Sequence, residues 1–403
     1  MSDRADVVVV GGGVMGCLLA LHLVEQGVER VRLLERDGVF QGTSAAGGGF
    51  LSGWAAYPPE TASAGYALDF YEKTQAAGHD IGFRRNGTLY VAADERSWQG
   101  LRMGAEGNVL VDPARIAELT NDLVAGDRVV GGLLDPNGAH VHPPLLGAAL
   151  AELFLARGGV IDTRRPVTGL RLNGERVVAV DTPTGLVECD DVVLATGAWS
   201  NRLLEPLGAF LPLAPRLTSR ITTGPIGIPE SLPTLIVMGV IPGNPAEDIP
   251  LWLRGQDGAL LWGGTYRSYP RDILLDAEVP DRLDEIPLDG VMQVRRVGEQ
   301  AASFIPVLGQ ATSIRLKHGA PCYTPDGRAL VGQVPGLTGL HVLTGDNEAG
   351  ITFGPGYARV LAEFIAHGEA DQESLDAWQV DRFGGSFTSE SEVIKAFQPR
   401  VTA

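Results

Sequence analysis

Three glycines, Gly11, Gly13 and Gly16, stand in the spacing G-x-G-x-x-G, and an acid, Glu35, follows about 20 residues later. That set can hold a dinucleotide. Gly11 permits a tight turn, Gly13 lets backbone approach a pyrophosphate with no Cβ between, and Gly16 lets a helix pack closely on its strands. The Glu35 carboxylate can accept from a ribose diol and would repel a 2′-phosphate, which disfavours NADP. The set alone leaves NAD and FAD both open.

Other residues suited to chemistry lie further along. The stretch Gln41 to Trp54 (QGTSAAGGGFLSGW) is almost bare of large side chains, so its backbone can lie against a flat ring or a phosphate. Asp190 to Ser200 (DDVVLATGAWS) runs an apolar strand into Ala195-Thr196-Gly197, at the strand end where open α/β sheets bind ligands. His140 and His142 form an H-x-H with no third ligand suggested, so no metal is expected. His318, beside Lys317, is the histidine better placed for a cofactor. Trp54, Trp262 and Tyr266 are candidate pocket aromatics, with core packing the simpler role.

The elements that must position these residues are readable nearby. Val7 to Val10 is a short buried strand, a helix begins at Val14 and stops at Gly27, and Val31 to Leu34 is a second strand. This is a complete βαβ unit. Beyond it, helices are expected over 59–78, 111–123, 143–157, 280–302 and 357–366. A hairpin is expected over 81–92 around Asn86-Gly87, and a small meander over 160–188. Strands are expected over 217–223, 235–240, 250–254, 260–266 and 341–344. Everything beyond Gly368 reads as an acidic, peripheral tail.

The α/β signals and the β-rich signals alternate along the chain. Residues 1–54, 140–212 and 315–385 form one discontinuous unit, 55–139 and 213–314 a second, and 386–403 a tail. The fold class is α/β, a Rossmann-type unit interleaved with a β-rich α+β unit.

Net charge excludes other classes. At −17 over 403 residues the chain would be repelled by nucleic acid and by anionic membrane. No apolar run approaches the ~18 residues of a membrane span. Three scattered cysteines, Cys17, Cys189 and Cys322, suit a reducing cytoplasm.

Four stretches in this order resemble the D-amino-acid oxidase-like family of FAD-dependent amine oxidoreductases, which includes glycine oxidase, sarcosine oxidase and dimethylglycine dehydrogenase. They are Gly11-x-Gly13-x-x-Gly16 with Glu35; Gly42-Thr43-Ser44 with Gly47-Gly48; Val192 to Ser200; and Thr324-Pro325-Asp326-Gly327 followed by Gly339 to Gly345 and Gly350-Ile351. The resemblance implies FAD, bound without a covalent link, and oxidation of a C–N bond to an imine by hydride transfer to flavin N5. It places Gly11, Gly13, Val14, Met15 and Gly16 at the pyrophosphate, and Glu35 and Arg36 at the adenosine. Val167 would touch adenine, and Ala195, Thr196, Gly197 and Trp199 would line the same cofactor. Thr43, Ser44, Gly47 and Gly48 would lie near phosphate and flavin. Gly350, Ile351 and Thr352, ahead of the last helix, would face the flavin pyrimidine edge with their N–H groups.

The chain departs from that family where substrate is held. Pro321 stands where glycine and D-amino-acid oxidases carry an arginine for the substrate carboxylate. Arg254 and Arg267 are the replacement candidates, because a guanidinium pairs with a carboxylate bidentately. Leu260 to Gly264 lacks the lysine with which sarcosine oxidases promote reaction with oxygen, and Thr352 replaces their substrate lysine. Ser44-Ala45-Ala46-Gly47 lacks the histidine of covalent flavin attachment, and Cys322 only approximates an attachment cysteine. The expected partners are a small amine or amino acid and an acceptor, oxygen or another carrier. A flavin-bearing subunit of a hetero-oligomer, or a homo-oligomer, is left open.

Overall fold

The computed structural model describes residues 3–52, 55, 57–104, 107–241, 250–264, 279–285, 289–310 and 314–396, with backbone alone for 289–294. Trp54, Tyr266 and Arg267 lie outside the described residues.

Four-residue apolar runs build the centre. Val7–Val10 is a fully buried strand, paired in parallel with Val31–Leu34 on one side and Asp191–Leu194 on the other. Val160–Asp162 and Leu340–Thr344 extend the parallel order at the two sides, and Leu330–Gln333 adds an antiparallel edge. Because successive side chains alternate faces, Val7 and Val9 pack into one core while Val8 and Val10 pack into another. Helices Val14–Glu25, Pro143–Ala156 and Gly350–His367 cover the first face, and the meander strands around Val177, Val180 and Val187 cover the second.

A second, eight-stranded sheet lies alongside, with Thr218–Thr223 flanked by Ile314–Gly319 and Ala259–Gly264, followed by Leu251–Gln256. One face carries Ile221, Leu253, Leu260 and Trp262 against Val297, Ala301 and Phe304. The strand Ile314–Gly319 belongs to this sheet, although the sequence groups residue 315 onward with the first unit.

Several expectations are corrected. Residues 81–92 make no hairpin. Gly87, at φ +83°, turns the chain out of a lone bridge between Arg84 and His140. Thr88–Ala92 then pairs antiparallel with Gly131–Asp135 and parallel with Thr234–Met238. Val160–Asp162 joins the parallel sheet, and the meander begins only at Gly169. Residues 280–302 give a 3-10 turn, Leu283–Glu285, and a helix that starts at Asp289. The acidic C-terminal stretch is not peripheral before residue 383: Trp378 is fully buried, donates to Glu60 Oε1 at 3.0 Å and stacks edge-on to Tyr357.

The last helix starts at Gly350, seven residues earlier than its sequence suggests, and carries Pro355 within it. Pro355 has no N–H to give the Ile351 carbonyl. The hydroxyl of Tyr71, fully buried in the helix Pro58–Ala76, donates to that carbonyl at 2.8 Å instead. Tyr71→Phe therefore removes the partner of that part-buried carbonyl and is expected to cost about 1 kcal/mol. Chemical denaturation checks this; a midpoint equal to that of the unmodified protein would refute it.

Candidate functional site

The parallel strands all end at one edge, and there Gly11, Glu35 and Ala195 emerge together. Gly11 N donates to Leu34 O and Ala195 N to Val10 O, each at 2.9 Å, so the three strand ends are locked in register. Gly11 sits at φ +106°, and a Cβ on it would stand 2.6 Å from the Ala195 carbonyl oxygen. A Cβ on Gly16 would fall inside the Gly11 carbonyl oxygen. These two positions require glycine, as the spacing predicts.

A cavity of about 550 Å³ opens on this edge. Gly11, Gly13, Val14 and Met15 form one wall, where the first turn of the helix Val14–Glu25 presents its N–H groups and positive dipole end. Ser44 Oγ accepts from Val14 N at 2.9 Å, and Thr43 Oγ1 accepts from Ala320 N at 3.0 Å. The 3-10 turn Thr43–Ala46 thus pins the helix start to the strand Ile314–Gly319.

Glu35 stands at the far end. Its two oxygens accept from Gly12 N at 2.6 Å and Asp37 N at 2.7 Å, so the carboxylate is fixed by backbone before any ligand arrives. Arg36 lies 4.7 Å over the Trp199 ring, and Trp199 Nε1 donates to Pro280 O at 3.1 Å. Val167, Thr196 and Gly197 line the same end.

Sequence reading missed four contributors here: Asp281 to Asp284, Lys317, Arg202 and Asp346. Arg202 binds Asp281 at 2.7 Å and so draws that segment over the cavity. None of these carries a motif; Lys317 comes in on the strand Ile314–Gly319, Arg202 on the short helix Ser200–Leu204, and the other two on loops that only the tertiary fold brings here.

A smaller cavity of about 120 Å³ adjoins the first, sharing walls at Val14, Thr43, Ser44, Pro321 and Asp346. Gly47, Gly48 and Gly49 line it, with Phe50 and Trp252 in ring contact at 5.9 Å. Gly350, Ile351 and Thr352 line it too, as the first turn of the last helix rather than a loop before it. Asn347 and Glu348, adjacent residues at φ +50° and +68°, turn the chain into that helix, with Glu348 on the cavity wall. The Asn347 side chain holds this turn by donating to Gly345 O at 2.5 Å and accepting from Thr324 N at 3.0 Å.

Two candidates prove to stand behind the wall. His318 lines neither cavity; its Nδ1 is 2.7 Å from Oγ of Ser219, a wall residue, and burial holds its pKa below the ordinary histidine value. Arg254 is buried and engaged. Its guanidinium donates to Gly48 O, to Gly255 O at 3.2 Å, to Val141 O at 3.1 Å and to Gln256 Oε1 at 2.5 Å. This geometry suits a clamp on the glycine loop better than a substrate anchor.

His140 and His142 do not converge. His142 caps the helix Pro143–Ala156 and faces Asp257 at 3.2 Å. Burial, then Arg254, push the His140 pKa down to about 3. Among the described residues no cluster of His, Cys, Asp or Glu could hold a metal, and no helix is long and apolar enough to cross a membrane.

A parallel sheet with a glycine turn, an acid fixed at the second strand end, and a second cavity against an antiparallel sheet define a two-unit flavoprotein oxidoreductase fold. The chain belongs to the DAO family of FAD-dependent oxidoreductases, whose sequence profile matches residues 6–364, and FAD is its cofactor. It is similar to glycine oxidase of Pseudomonas aeruginosa, with 30% identity over 91% of this chain and 95% of that one. It is also similar to 4-methylaminobutanoate oxidase (formaldehyde-forming) of Paenarthrobacter nicotinovorans, with 31% identity over 96% of this chain. The chain spans only 46% of that relative's length. Among solved structures, L-proline dehydrogenase from P. horikoshii superposes with a TM-score of 0.81 at 19% identity, over 96% of this chain and 100% of that one, a likeness of fold.

Proposed function

We propose that the chain oxidises the C–N bond of an amino acid or secondary amine to an imine. FAD, when bound, supplies the hydride acceptor at its N5 atom. The observation that carries this reading is the junction of the two cavities at Ser44 and Asp346. One cavity has the turn, dipole and acid a dinucleotide needs; the other has the bare glycine loop and aromatic walls that suit a flat ring beside a compact substrate.

In this reading Gly11, Gly13, Val14, Met15 and Gly16 serve the pyrophosphate, with Thr43 and Ser44 beside it. Glu35 takes the ribose, and Arg36, Val167 and Trp199 enclose the adenine end with Ala195, Thr196 and Gly197. Gly47 and Gly48 lie against the flavin. The N–H groups of Gly350, Ile351 and Thr352, at a helix N-terminus, stabilise negative charge. The link is non-covalent: Cys322 borders the larger cavity, but burial raises its thiol pKa and disfavours the thiolate that attachment requires. Three unpaired cysteines suit a reducing compartment such as the cytoplasm.

The acceptor is oxygen or another carrier. A second reading is that the chain is the flavin-bearing subunit of a hetero-oligomer.

The test is anaerobic mixing of the yellow holoprotein with glycine, sarcosine, longer N-methylamino acids and both hands of the common amino acids. Bleaching of the flavin band by at least one is expected, whatever the acceptor. A flavin that stays oxidised with all of them, alone and with added partner fractions, refutes the reading.

A further inference from the structure

The adenosine end of the larger cavity is walled from two directions. Glu35, Arg36 and Trp199 follow the ends of parallel strands. Val279 to Glu285 arrives from elsewhere, between the strand Ala259–Gly264 and the helix that starts at Asp289, and crosses to meet them. Two apolar side chains seat this strap. Val279 and Leu283 are buried in the core that also holds Val8 and Val10.

Between those feet, three side chains grip the strap. Arg202 donates to Asp281 Oδ1 at 2.7 Å and to the Val279 carbonyl. Arg36 donates to the Asp281 carbonyl at 2.5 Å and to its Oδ1 at 3.4 Å. Trp199 Nε1 donates to Pro280 O at 3.1 Å, and Arg36 lies over that same indole. Two arginines from separate elements therefore converge on one carboxylate oxygen, and all of these side chains line the cavity.

Exposure decides what such a grip can do. The Asp281 side chain is 73% exposed, Arg36 34% and Arg202 36%. Ion pairs this open to water are weak and screened by salt. A permanent fastening would be buried; this one opens at small cost. The apolar feet return the strap to one seat, and the ion pairs set how long it stays there.

We propose that Val279–Glu285 is a salt-sensitive latch on the FAD site: FAD enters and leaves past this strap, and the Arg36–Asp281–Arg202 contacts set the rate. The proposal rests on FAD as cofactor and not on the amine-oxidising reading. A latch that opens for entry and for exit changes both rates together and leaves affinity nearly fixed. A strap that only held FAD would change affinity instead.

The test uses the holoprotein and radiolabelled FAD. Exchange of bound for labelled FAD reads release, and flavin occupancy after dialysis against graded FAD reads affinity. In the unmodified protein, raising sodium chloride from about 50 mM to about 500 mM is expected to speed exchange severalfold. Asp281→Asn should speed exchange about tenfold at low salt and remove most of that salt dependence. Arg202→Met should act alike, and the double variant should be no faster than Arg202→Met alone, because both act through one contact. Affinity should shift by less than about threefold in each. The thermal midpoint at saturating FAD reports folding; should Arg202→Met fail to fold, Asp281→Asn at its exposed position decides alone. Unchanged exchange in Asp281→Asn overturns the latch, as does exchange that keeps the salt dependence of the unmodified protein. An affinity loss as large as the gain in exchange rate overturns it too, and makes the strap a plain wall of the site.

Discussion

Replacing Gly16 with alanine is expected to yield protein that purifies without FAD and melts well below its parent. The new methyl would occupy the Gly11 carbonyl oxygen and press on Ala195 Cβ at 3.3 Å. Both neighbours belong to the turn and strand end on which the cavity opens, so neither can yield alone. The helix cannot yield either, because Val14 to Leu23 are all buried. The overlap must push the helix off the sheet, at a cost of about 3 kcal/mol or more. The flavin absorbance ratio and the thermal midpoint read the two effects. Gly27→Ala is the control: φ is +90° there, but nothing lies within 4 Å, so only backbone strain of about 1 kcal/mol is expected. Normal flavin content in Gly16→Ala would show that helix and strands need not meet so closely.

The second large effect is at Arg254. Arg254→Met removes the donors for Gly48 O and Val141 O, which belong to two different loops, and for Gln256. Each stranded carbonyl costs about 1–3 kcal/mol, so a total near 4 kcal/mol is expected. The glycine loop Gly47–Gly49 should loosen at the same time and lower FAD affinity. Arg254→Lys should rescue little, since one ammonium cannot span three directions. A Met variant that is fully stable and flavin-loaded, with only KM for acidic substrates raised, would return Arg254 to the role its sequence position suggests.

These two cases show what a sequence can display. The Gly16 argument is local: strand, turn, helix and acid lie within Val7 to Glu35, and their spacing carries the geometry. The strand ahead of Ala195 and the Thr43-Ser44 turn were legible for the same reason. The arginines are a non-local problem. Arg254 looks in sequence like any strand arginine, and only the assembled sheet shows its guanidinium spent on the Gly48 and Val141 carbonyls. The Asn86-Gly87 turn misled because a sheet partner 146 residues away outcompetes the adjacent strand. The early start of the last helix was hidden because Pro355 is a breaker on local grounds, and its compensation comes from Tyr71.

The interleaved strand order has a consequence during synthesis. The neighbour of Val7–Val10, Asp191–Leu194, is made some 180 residues after it, and the next strand, Leu340–Thr344, later still. At ordinary translation speeds roughly 15–65 s separate the first strand from the last. For that interval the apolar helix Val14–Glu25 has neither the completed sheet beneath it nor Gly350–His367 to close over it. FAD, whose cradle needs Gly11 and Ala195 in register, can therefore be captured only after residue 195 has left the ribosome.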